Sequence, residues 1–150
     1  GLAEKLLADE GSEILMINTW GDALFIVFAD AVAAGQYSLK LQDHVAKTSW
    51  QQQGLPSDIS FRIALHAGPA YEVTDPFTRR RNYVGSQVSK AARIEPITPP
   101  GEVYASESYA ALVTANAEKD FVCEYAGQIP LAKGFGIFPL YQLKKTAKSA

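Results

Sequence analysis

The 150-residue chain carries 14 Lys and Arg against 16 Asp and Glu, a formal net charge of -2, with 47% hydrophobic residues. That supports one domain burying about two-thirds of its extended surface, lacks the basic face that broad nucleic-acid binding requires, and contains no apolar run long enough to cross a bilayer. A single cysteine, Cys123, excludes an internal disulfide, and the start Gly1-Leu2-Ala3-Glu4-Lys5 lacks the basic and apolar segments of a signal peptide. A reducing, cytoplasmic setting is expected, with small molecules or proteins as partners and no nucleic acid or membrane in this segment.

In chain order, Leu2, Leu6 and Leu7 recur at helical spacing before Gly11, so a helix over residues 2–9 is predicted. Ile14 to Ile17 and Ala23 to Phe28 are two runs of β-formers joined by Asn18-Thr19-Trp20-Gly21-Asp22, the pattern of a β-hairpin. Asp22 stands at its tip, either as a carboxylate for a metal ion or as an ordinary turn residue. Ala34, Tyr37, Leu41, Val45 and Thr48 mark an amphipathic helix from about Ala29 to Gln53, closed by Gly54 and Pro56. Phe61, Ile63 and Leu65 alternate as a strand that ends at Gly68-Pro69. A short strand, Ala70 to Val73, leads into Asp75-Pro76 and a basic loop, Arg79 to Arg81. Gly85-Ser86 opens a helix to about Glu95, Glu102 to Ala105 is a strand, and Ser106-Glu107 caps a helix through Ala115. Phe121 to Tyr125 and Phe138 to Leu143 form a closing strand pair. Residues 1–143 form the domain and 144–150 a basic tail; no repeat or linker divides them. The mixture reads as an α+β sandwich.

Four segments in order carry a resemblance: Asn18-Thr19-Trp20-Gly21-Asp22-Ala23, then Phe61 to Gly68, then Tyr83 to Glu95, then Pro99 to Glu107, with Lys133-Gly134-Phe135-Gly136 as a closing loop. Together they resemble the class III nucleotidyl cyclase catalytic domain over nearly the whole chain. The resemblance implies a ferredoxin-like sandwich, with an antiparallel sheet and helices on one face, working as a homodimer with composite sites. It implies an adenylate or guanylate cyclase that converts a purine nucleoside triphosphate, ATP ahead of GTP, to a 3′,5′-cyclic nucleotide and pyrophosphate for intracellular signalling. Two Mg²⁺ or Mn²⁺ ions would supply much of the charge stabilisation.

By the same resemblance, Asp22 is one of two metal-bridging aspartates. The other belongs to an earlier strand, so the first strand and the helix after it are missing from these residues and the fragment by itself is expected to be inactive. Asp30 lies beyond the far end of the strand after Asp22, and Asp58, Asp75 and Asp120 match no metal position. Arg93 matches the arginine that stabilises transition-state charge on phosphate, and Lys133 the lysine on the triphosphate. Ser89 stands where the family carries a ribose-positioning asparagine. Asn18 and Asn82 stand at the base-reading positions in place of the charged residues usual there. These departures keep open a second reading, a weak or inactive cyclase-like regulatory or dimerisation module. Upstream or downstream regulatory domains are expected in either case. His66 is read as structural, His44 as solvent-facing, Arg79 to Arg81 as a solvated loop, and Trp20 as a dimer-interface aromatic.

Overall fold

The computed structural model describes residues 14–20, 23–69, 71–116 and 120–146, without the side chains of Trp20, Tyr71 and Arg81. The predicted helix over residues 2–9, the Gly21-Asp22 tip and residues 147–150 lie outside them. β1 (Ile14–Trp20) and β2 (Ala23–Phe28) pair antiparallel from Ile14↔Phe28 to Trp20↔Ala23, as the two β-forming runs predict.

Helix α1 (Ala31–Lys47) starts at Asp30, whose carboxylate accepts from the backbone N–H of Val32 and Ala33 at 3.3 and 3.2 Å. It stops six residues before the predicted Gln53, and Trp50–Gln53 form a separate 3₁₀ turn. The reason is local competition for carbonyls: the Thr48 hydroxyl donates to His44 O at 2.6 Å and the Trp50 indole N–H donates to Val45 O at 3.0 Å. One side of α1 carries Tyr37, Leu41 and Val45 against Ile14, Ile26 and Phe28 of the hairpin and against Ile59 and Ile63. Leu39 packs instead with Val103, Ala105, Tyr109, Val113, Phe121 and Leu143. Gly35 permits this close approach, since a Cβ there would lie 2.5 Å from Tyr109 Oη and 2.6 Å from the Phe121 ring.

The main sheet has the order β3 (Ile63–Leu65), β6 (Val103–Ser106), β8 (Ile137–Lys145), β7 (Phe121–Pro130). It is mixed, which corrects the expectation of an antiparallel sheet: β3 and β6 are parallel, while β6–β8 and β7–β8 are antiparallel. A parallel pair needs a long crossover. Here the crossover holds a second hairpin, β4 (Tyr71–Thr74) with β5 (Arg81–Val84), then helix α2 (Ser86–Ile94). β5 falls partly on the predicted basic loop; arginine and asparagine hid a short strand whose hairpin is held by its turn. Asp75 Oδ1 accepts from Phe77 N at 2.7 Å and Thr78 N at 3.1 Å, and these hydrogen bonds hold the Asp75 carboxyl below its ordinary pKa.

Helix α3 (Glu107–Ala115) begins where predicted, with Ser106 Oγ accepting from Tyr109 N. β7 and β8 run longer than expected, past a bulge between Tyr125 and Gly127. Lys144 and Lys145 therefore belong to β8 rather than to a tail, and they pair with Glu124 and Asp43 at 3.1 and 3.0 Å. No helix among the described residues is long and apolar enough to cross a membrane. The β1–β2 hairpin forms its own two-stranded sheet and meets the rest of the core through α1.

Candidate functional site

Helix α2 and the turn between β7 and β8 form the centre of the candidate site. They are fixed to each other by one core cluster, in which Ile94, at the end of α2, is fully buried with Leu131 and Leu140 against Ala64, Ile97, Tyr104, Ile129 and Phe138. Leu131 leads directly into the turn Ala132–Gly134, which carries Lys133, and its N–H donates to Gly136 O at 2.8 Å to close the loop. Burying Ile94 and Leu131 side by side therefore sets Arg93 and Lys133 on neighbouring elements. Lys133 is exposed, with φ 59 and ψ 34.

Ser89 and Arg93 are four residues apart on α2, on one helical face. Ser89 is exposed and Arg93 half-buried. Among the described residues neither Arg93 nor Lys133 has an ion-pair partner, whereas nearby Arg62 is engaged by Glu95 at 3.2 Å and by the Pro96 carbonyl at 3.3 Å. Two cations on neighbouring elements suit a polyanion, and the Arg93 guanidinium fork suits phosphate oxygens. Lys90, between Ser89 and Arg93, was not singled out in the sequence. Its ammonium lies 4.3 Å from the centre of the Phe138 ring, a contact between residues 48 positions apart that local pattern cannot show.

Asn82 lies on β5, which leads into α2, so it belongs to this side of the molecule. Asn18 lies on the separate β1–β2 sheet. In both, Oδ1 accepts from the next residue's backbone N–H, Tyr83 and Thr19, at 2.9 Å. Asp22 lies outside the described residues.

The other carboxylates named from the sequence have structural roles or stand apart. Asp30 caps α1, Asp75 caps its turn, Asp120 accepts from Gln36 Nε2 at 3.3 Å, and Asp58 is exposed beyond the 3₁₀ turn. Asp43 accepts from Lys47 and Lys145, and these hydrogen bonds hold its pKa below the ordinary carboxylate value. Among the described residues no three His, Cys, Asp or Glu side chains converge. These residues by themselves do not fit a divalent-cation site. A cavity of about 320 Å³ between α1 and β8, lined by Leu39, Gln42, Asp43, Lys144 and Lys145, includes no candidate site residue.

No protein-family model matches the chain. It is 28% identical over 107 residues to an adenylate cyclase of Mycosarcoma maydis and 27% identical over 109 residues to one of Neurospora crassa. Those stretches take in 61% and 62% of this chain but 4% and 5% of the relatives, so the chain spans only a small part of the curated proteins it matches. Among solved structures, the adenylyl cyclase CyaB from P. aeruginosa superposes with a TM-score of 0.82 at 20% identity, covering 99% of this chain and 80% of that one. The guanylate cyclase domain of RhGC from Catenaria anguillulae, solved in complex with GTP, gives a TM-score of 0.69 at 19% identity over 96% of this chain and 78% of that one. The chain therefore has the fold of the class III adenylyl and guanylyl cyclase catalytic domains, and its sequence is similar to that of adenylate cyclases.

Proposed function

We propose that this chain is the catalytic unit of a nucleotide cyclase acting on a purine nucleoside triphosphate, with ATP ahead of GTP. The observation that carries the reading is that Arg93 and Lys133, which have no ion-pair partner among the described residues, stand on neighbouring elements held by one core cluster in a chain with the cyclase fold. In the reaction the ribose 3′-oxygen forms a bond to the α-phosphorus, the bond to the β-phosphate oxygen breaks, pyrophosphate leaves, and the 3′-hydroxyl proton passes to solvent or base. Arg93 stabilises charge on the phosphoryl oxygens as they crowd, Lys133 holds the triphosphate, and Ser89 orients the ribose. Asn18 and Asn82 meet the base. Asp22 would contribute one carboxylate to a Mg²⁺ or Mn²⁺ site completed by groups other than the described carboxylates, an ion there would supply charge stabilisation at the phosphate, and the complete site would be shared across a homodimer in the cytoplasm. Regulatory domains on either side would connect it to a signal.

The test compares cyclic AMP and cyclic GMP production with Mg²⁺ or Mn²⁺ by the full-length protein, beside its Arg93→Ala variant. The expected loss is about a hundredfold in kcat. Equal product from both proteins removes Arg93 from the mechanism, and no product from either sinks the enzyme reading. The uncharged amides at Asn18 and Asn82 favour a second reading, a cyclase-like module that binds nucleotide without turnover. Calorimetric binding with no product would establish it.

A further inference from the structure

At the end of β3, side chains from three parts of the chain close a hydrogen-bonded network around His66. The ring is half-buried. Its Nδ1 lies 2.6 Å from Ser106 Oγ, and its Nε2 meets Gln87 Oε1 in the first turn of α2. Ser106 Oγ also accepts from Tyr109 N at 3.3 Å, and the Ser108 hydroxyl donates to the Ala67 carbonyl at 2.8 Å. With a carbonyl oxygen facing Nε2, the Nε2–H donates to Gln87, and in the neutral ring Nδ1 accepts from the Ser106 hydroxyl. Burial, with the Lys90 charge, favours that neutral ring, holding the pKa below 6.5 against the opposing pull of the Gln87 hydrogen bond.

Gly68 leaves the room that the Gln87 side chain takes. A Cβ there would lie 2.7 Å from Gln87 Cδ and Oε1, so any larger residue at 68 would displace that side chain. Among the described residues the start of α2 has no side-chain cap hydrogen bond: its N-cap is Gly85, and its one fully buried residue, Ile94, lies at the opposite end. A helix whose first turn has no side-chain cap is prone to fray there.

We propose that Gln87 and His66 are positioning residues: their hydrogen bond sets the rotation of the first turn of α2 against β3 and β6, and so the aim of Ser89 and Arg93. The catalytic consequence rests on the cyclase reading; the positioning itself does not. Nitrogen-15 NMR of the 150-residue chain tests it. In the wild type, His66 shows the neutral Nε2–H tautomer. In Gln87→Ala that signature disappears, the amide signals from Ser89 to Arg93 shift and their hydrogen exchange accelerates, while Gln87→Glu, which keeps the acceptor, leaves α2 in place. An Nδ1–H tautomer in the wild type, or α2 signals unchanged by Gln87→Ala, overturns the proposal. In the full-length protein, Gln87→Ala lowers kcat about tenfold or more with KM within about threefold, and Gln87→Glu restores it. An unchanged kcat overturns the catalytic consequence. Absence of product from the wild type overturns the cyclase reading instead, and the spectra still decide the positioning.

Discussion

Helices α1 and α2 divide the labour of the molecule. The first is 17 residues long, has its amide ends capped by Asp30, and buries eight residues, from Ala33 to Val45, against the hairpin and the main sheet. The second is nine residues long, has no side-chain cap, and buries one residue. Burial on more than one side makes a scaffold, because each displacement costs packing at several contacts at once. A helix held at one end by Ile94 and steered at the other by Gln87 keeps its remaining surface for polar side chains, and Ser89, Lys90 and Arg93 occupy it.

The sharpest way to break this contrast is through paired substitutions. Arg93→Ala should lower cyclisation about a hundredfold while leaving the thermal midpoint within about 2 °C, since surface changes outside special contacts are near neutral. Gly35→Ala should do the reverse, destabilising by about 2 kcal/mol because its methyl group has no room beside Tyr109 and Phe121. Calorimetric melting of the two variants checks both, and a large stability loss in Arg93→Ala would mean that α2 is scaffold too.

Acid should act on the network that steers α2. The folded pKa of His66 lies below its ordinary 6.5, chiefly through burial, so the unfolded chain binds its proton more readily. The stability contributed by keeping the ring neutral is complete above the ordinary value and is lost as pH falls through the lower folded one. Unfolding measured between about pH 7 and pH 5 should show a decline that His66→Gln flattens; parallel slopes for the two proteins would exclude His66 as its source. The smallest effect belongs to α1. Tyr37 is buried with its hydroxyl lacking a hydrogen-bond partner among the described residues, and burial raises its pKa. Tyr37→Phe should stabilise the fold by up to about 1 kcal/mol, read as a raised melting midpoint.

Local chemistry explains which features were legible in the sequence. Ser106-Glu107 announced α3 because an N-cap is encoded within four residues, and Ser89 and Arg93 were readable as one face because helical spacing is regular. The β3–β6 parallel pair was not legible, since its partners lie 40 residues apart and their pairing follows from the crossover rather than from either strand. β5 was hidden by its composition, and α1 was predicted too long because the Trp50 indole competes for a helix carbonyl only once the chain has folded back. Gln87 had no signal in its own segment. Its meaning depends on His66, 21 residues earlier, and on the missing side chain of Gly68 beneath it.

The left-handed backbone of Lys133 carries a final consequence. A residue with a side chain pays about 1 kcal/mol for that conformation, which glycine adopts without penalty. Glycine at this point would relax the turn and remove its ammonium group. The protein therefore holds a strained lysine where an unstrained residue would fold better, giving up backbone energy to keep a positive charge at a fixed point beside α2.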